Sequence, residues 1–225
     1  CFAVVLLLAS AFVEQGPEEA GQMLPGGGRD MGWREMLCQK KFYGMCAMLL
    51  CGGLSGMMVI SSASDMAQVE AGFSPAAAAL MVSVLSLFNA GGRASAGILS
   101  DKLGRIGTLS LVFPISVAAL CALFFFGQDS MAVFAVSIAL VGACFGALMG
   151  IFPGFTADEF GQRNNTVNYG ILFFGFALSG MLGPQVASWV MSGTGSYRSA
   201  FLIAAVVALA GFALTFLHRR LAARA

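Results

Sequence analysis

Of 225 residues, 58% are hydrophobic and only 10% are charged, with a mean hydropathy of +0.85; a soluble domain carries roughly 25% charged residues. Apolar runs of about 20 residues make this an all-α polytopic membrane protein, and no period-two alternation over ~10 residues is present to support a β-barrel. The net charge of +1, with basic side chains dispersed along the chain, leaves no nucleic-acid footprint.

The chain opens on an apolar run, residues 1–13, too short to cross a bilayer and without the basic start of a signal peptide. It reads as the end of a truncated transmembrane helix, and the polypeptide as a fragment. Residues 14–41 form a polar linker whose middle, GPEEAGQMLPGGGRD, has flexible composition. Its end, GWREMLCQKKF, puts Trp33, Met36, Leu37 and Lys40 on one helical face, which predicts a short interfacial helix anchored by Trp33.

Six spans are predicted over 42–217: about Phe42–Ala63, Pro75–Ser100, Thr108–Phe126, Met131–Phe155, Asn168–Met191 and Ser199–Leu217. Ser74 is an N-cap before Pro75. Pro114 marks a kink in the third span. Gly52 and Gly56, then Gly142, Gly146 and Gly150, then Gly175, Ser179 and Gly183 recur at four-residue spacing and predict close helix packing. Residues 218–225 read as a polar tail. Six cysteines carry little chemistry: four lie in apolar spans, no CxxC occurs, and the chain has one His. They read as small apolar packers, and no metal, cofactor or disulfide framework is expected.

Arg93 is the one charge deep inside a span. At ~1.5 Å per residue it sits ~12 Å from the following turn, near the middle of a hydrocarbon core ~30 Å thick. Such a charge is expensive, and by default marks a functional site facing protein or a water-filled cavity. Helical steps of three and four from Arg93 reach Ser86, Asn89, Gly97 and Ser100, a small and polar stripe. Two readings stand for Arg93: an anion contact, or a structural residue bonded to carbonyls or to an acid elsewhere. Orientation follows from the connections. Arg29, Arg34, Lys40, Lys41, Lys102, Arg105, Arg163, Arg219, Arg220 and Arg224 fall on one side and Arg198 on the other, which places linker and C-terminus in the cytoplasm.

The turn Gly97-Ile-Leu-Ser-Asp101-Lys102-Leu-Gly104-Arg105 resembles the G-x-x-x-D-[RK]-x-G-R loop of the major facilitator superfamily. That loop joins the second and third helices of a six-helix half on the cytoplasmic side. The resemblance implies the C-terminal half of a twelve-helix fold, with the partial first helix as the sixth and a missing N-terminal six-helix half as partner. Asn89-Ala-Gly-Gly-Arg93, WREML, and Phe155-Thr-Ala-Asp158-Glu-Phe160-Gly161-Gln-Arg163-Asn164 leading to Asn168-Tyr169-Gly170 resemble the oxalate/formate antiporter and monocarboxylate transporter group.

That group implies a secondary transporter of small organic anions working by alternating access. An Arg of its eighth helix is implicated in carboxylate binding, and Arg93 stands at the matching position. Its usual companion, a Lys of the eleventh helix, is replaced here by Phe176, which points to a monocarboxylate rather than a dicarboxylate. Ser86 and Asn89 would add hydrogen bonds to the substrate. Phe173, Phe174 and Phe176 would form an apolar wall. Gly97, Asp101, Lys102, Gly104 and Arg105 would form a conformational latch of switching ion pairs, with Gly97 allowing close packing. Asp158 and Glu159 are expected to be solvated or paired with Arg163, and Asp65 and Glu70 to be solvated in an outer loop. The alternatives are a transporter-like membrane sensor and a transporter of another solute. The expected setting is an integral protein of the plasma membrane, surrounded by lipid.

Overall fold

The computed structural model describes residues 30–222. The truncated helix, most of the linker, and residues 223–225 of the tail lie outside the described residues. Nine helices are seen among the described residues: α1 Trp33–Leu37, α2 Lys40–Ile60, α3 Ala63–Ala71, α4 Pro75–Leu103, α5 Arg105–Phe126, α6 Met131–Phe160, α7 Asn165–Leu172, α8 Phe174–Thr194 and α9 Arg198–Ala222. Six membrane-crossing lengths result, because α7 and α8 together make one of them, Asn165–Thr194. Every span was legible as apolar length.

Local chemistry sets several of the boundaries. Ser74 Oγ accepts from the Ala77 amide at 3.3 Å and Pro75 opens α4, as the sequence predicts. Ser130 Oγ does the same for α6 through Val133 N at 3.4 Å. Other boundaries move. α6 runs past Phe155 to Phe160, and α9 runs through His218 to Ala222, so the expected tail begins as helix. His218 is fully buried rather than solvated.

The outer connection between α2 and α4, expected as a loop, is the helix α3. Glu70 in it is buried, which corrects its expected solvation. One of its carboxylate oxygens accepts from Gln128 Nε2 at 2.6 Å; the other accepts from Ser196 Oγ at 2.9 Å and from the Tyr197 amide. A carboxylate away from water is tolerated when donors saturate it, and here one acid fastens three connections. Burial and the nearby Asp65 carboxylate push the Tyr197 phenol up.

α6 is the most buried span, and α4, α5 and α2 pack against it. Its predicted glycine ladder meets the backbone of α4. A Cβ at Gly142 would lie 2.8 Å from the Leu85 carbonyl oxygen, and one at Gly150 would lie 2.8 Å from that of Arg93. A Cβ at Gly146 would collide with the Asn89 carbonyl, and one at Gly92 with that of Ala143. Glycine on both helices therefore sets their separation. A second close crossing brings Gly175 and Gly183 of α8 onto α2 at Cys46 and Met57. Much of the rest of α4 is uncovered among the described residues. Leu80, Leu87, Phe88 and Ile98 are exposed, as suits a helix with lipid or further protein around it.

α1 forms where an interfacial helix is predicted, with Trp33 exposed and the Arg34 guanidinium 5.0 Å above its ring. Met36 departs from the prediction: it is completely buried against protein rather than facing lipid. The described cysteines are free.

Candidate functional site

The site residues begin at the α4–α6 seam. Because Gly146 and Gly150 admit the carbonyls of Asn89 and Arg93, the backbone of both residues is fixed by α6 while the Arg93 side chain stays exposed. Arg93 Nε donates to Asn89 Oδ1 at 3.2 Å, one turn earlier. Among the described residues no carboxylate pairs with Arg93. Arg93 lies ten residues before Leu103, the end of α4, and so about 15 Å along the helix from it.

Ser86 is placed on the same helix, but its hydroxyl donates to the Val82 carbonyl at 2.8 Å and so is satisfied internally. Phe176 is half-buried on α8, its ring centroid 5.9 Å from Phe145 and 4.7 Å from Phe173. Tyr169 continues the row, 5.4 Å from Phe173. The aromatic wall therefore runs Tyr169, Phe173, Phe176, Phe145 across α7, α8 and α6. Phe174 stacks with none of these rings, and its side chain is exposed. In the sequence Tyr169 stands out only as part of Asn168-Tyr169-Gly170. The signal that could have found it is its place one helical turn before Phe173, on the side of α7 that continues the wall.

At the end of α4 the motif residues gather around Arg105. Its Nη1 pairs with Asp101 Oδ1 at 3.1 Å and also meets Ser100 Oγ, while its Nε pairs with Asp158 Oδ2 at 2.8 Å. Gly154 leaves room for the guanidinium: a Cβ there would lie 3.0 Å from Arg105 Cζ. Asp158 thus serves Arg105, not Arg163, which corrects the expected pairing. Glu159 is also taken elsewhere: Lys41 Nζ lies 3.1 Å from one oxygen and His218 Nε2 3.6 Å from the other.

Gly104 links α4 to α5 with φ +76° and ψ 160°, a conformation that essentially only glycine adopts. Lys102 is exposed. Gly97 has no atom within 4 Å of where its Cβ would be, so the close approach expected there is not made among the described residues. The ion pairs bridge α4, α5 and α6 through partly exposed groups, an arrangement that can exchange partners at low cost.

Residues 1–184 match the model of the Major Facilitator Superfamily. The chain belongs to that superfamily. It is 34% identical over 150 residues to an uncharacterised major-facilitator-type transporter, YhjX, of Escherichia coli, covering 67% of this chain and 37% of the relative. It is 26% identical over 220 residues to the oxalate:formate antiporter of Oxalobacter formigenes, covering 96% of this chain and 52% of that protein. Monocarboxylate transporter 12 of Xenopus laevis is 27% identical over 150 residues, covering 66% and 31%. The chain spans about half or less of the length of these relatives. Six apolar spans in one bundle are consistent with one half of the superfamily fold, in an integral membrane protein.

Proposed function

We propose that this chain forms one six-helix half of a secondary transporter that carries a small monocarboxylate by alternating access. The observation that carries the reading is the Arg93 guanidinium, far from either end of α4 and without a carboxylate partner among the described residues. A fork of five donors suits a carboxylate, and Asn89 holds one edge of that fork while the other donors have no partner among the described residues. Tyr169, Phe173 and Phe176 form an aromatic row that would supply an apolar boundary for the substrate. Likeness to an antiporter named for oxalate and formate and to monocarboxylate transporters supports an organic anion.

In this reading a second six-helix half covers the open face of α4, and the site opens alternately to either side as the halves rock. Asp101, Lys102 and Arg105 work as the latch at the basic end, and the excess of Lys and Arg there puts that end in the cytoplasm of a plasma-membrane protein. One cation neutralises one carboxylate. A dianion would bring a second charge into a poorly solvated site with no partner, if Phe176 occupies the place that the resemblance to the antiporter group gives to a Lys.

The test is uptake of radiolabelled formate, lactate and oxalate into proteoliposomes containing the full-length protein. Saturable uptake of a monocarboxylate is expected, falling at least about 100-fold in Arg93→Ala with thermal stability unchanged, since a charged hydrogen-bonded contact is lost. Uptake that survives the substitution would make Arg93 structural. Phe176→Lys is expected to raise oxalate transport relative to lactate about tenfold. An unchanged ratio would remove Phe176 from substrate choice.

A further inference from the structure

The linker does not end as a free tether. Asp30 and Met31 lie along the α6–α7 connection and are held there at four points. Met31 N donates to the Phe160 carbonyl at 2.9 Å. The Met31 carbonyl accepts from two side chains, Asn164 Nδ2 at 3.2 Å and Asn168 Nδ2 at 3.0 Å. The Arg163 amide donates to Asp30 Oδ1 at 3.2 Å. Gly161 makes the contact possible: its φ is +91°, and a Cβ there would lie 2.7 Å from Asp30 Cα.

Asn168 is the innermost of these groups and is wholly buried. Its Nδ2 holds Met31, whereas its Oδ1 has no partner. Burying an amide oxygen unsatisfied costs stability, so this side chain contributes through its donor. The helix it belongs to begins at Asn165 and runs on into α8: Phe173 is helical, its amide donates to the Tyr169 carbonyl at 2.8 Å and its carbonyl accepts from the Ala177 amide at 3.0 Å. The first turn of a helix lacks intrahelical partners for its amides, and side-chain pins fasten this end of the span. Asn165 Nδ2 supplies one pin, to the Pro153 carbonyl of α6 at 3.3 Å, and Asn168 supplies the other, to the linker. Tyr169, the next residue, starts the aromatic row that continues through Phe173 to Phe176.

We infer that Asn168 is a positioning residue for the anion site: it fastens α7 to the linker at Met31 and so holds the aromatic row of Tyr169, Phe173 and Phe176 in place. The inference rests on the transport reading for what the site does, and on the contacts above for the fastening. It also gives the linker a role beyond joining two halves, since displacement of residues 30–31 is transmitted to α7 and to the wall of the site.

The test compares wild type with Asn168→Asp in the full-length protein. Aspartate keeps the shape and removes the donor, leaving a carboxylate facing the Met31 carbonyl. Amide exchange over residues 165–172 is expected to quicken about tenfold, with exchange in α5 and α9 unchanged. The KM for monocarboxylate uptake is expected to rise about tenfold at nearly constant maximal rate. Asn164→Ala, which loses the longer of the two bonds, serves as the milder variant and is expected to shift both readings in the same direction by less. Faster exchange with an unchanged KM would leave Asn168 an anchor without a positioning role and overturn the inference. Unchanged exchange would overturn the fastening, and so would acceleration throughout the bundle. A wild-type protein that moves no carboxylate would fail the transport reading instead, which the wild-type uptake alone reports.

Discussion

The two sides of α4 are built on opposite rules. Towards α6 the helix presents Leu85, Gly92 and Ala96, all buried, and its backbone meets glycine after glycine. Away from α6 it presents Ser86, Gly91 and the Arg93 side chain, all exposed. Gly91 and Gly92 are neighbours in sequence and opposites in structure: a Cβ on the first meets open space, and on the second a backbone carbonyl. The packed side fixes where Arg93 starts; the open side decides what its guanidinium can meet. A site of this kind needs both, because a charge in a bilayer must be held precisely and yet kept free of a permanent partner.

The largest expected effect breaks the packed side. Gly146→Leu drives a branched side chain into the Asn89 carbonyl, which cannot move without moving α4. Overpacking of this sort is expected to cost about 3 kcal/mol, read as a fall in thermal midpoint and in yield of folded protein. Gly91→Ala is its counterpart. It adds a methyl to open space and removes a flexible residue from a helix interior, so stability is expected to hold or to rise by at most about 1 kcal/mol. Equal losses from the two variants would show that the open side of α4 is covered in the folded protein as tightly as the seam. A stable Gly91→Ala protein with impaired uptake would show that the open side is met only during transport.

The same contrast explains what was legible in the sequence. Span number, the N-cap at Ser74 and the glycine ladders rest on local composition and spacing, so they could be read directly. Arg93 stood out because a lone charge in an apolar run has few explanations. Contacts between distant segments could not be read. Nothing in the sequence near Asp158 says that it pairs with Arg105 rather than with Arg163, five residues on; the choice comes from the way α5 and α6 meet. Glu70 looked like a surface acid because its donors, Gln128, Ser196 and Tyr197, belong to two other connections. Phe174 looked like its neighbours, yet in this helix adjacent residues project to different sides, and only Phe173 and Phe176, three apart, can stack. The linker contact at Met31 uses a backbone carbonyl, which carries no residue signature at all.

The smallest effect lies at the end of α4, where Arg105 joins Asp101 and Asp158. Both acids are more than half exposed on their side chains, at 69% and 51%, so solvent screens the pairs. A double-mutant cycle on Arg105→Gln and Asp158→Asn is expected to give a coupling of about 0.5–1 kcal/mol, shrinking as salt is raised. The small size is what the proposed latch requires. With two acids within reach, Arg105 can leave one and keep the other, so the change of partner never strands the cation. A coupling of about 3 kcal/mol or more, insensitive to salt, would instead describe a permanent brace between α5 and α6. It would move this cluster from the exchanging side of the comparison to the fixed one, with the glycine seam.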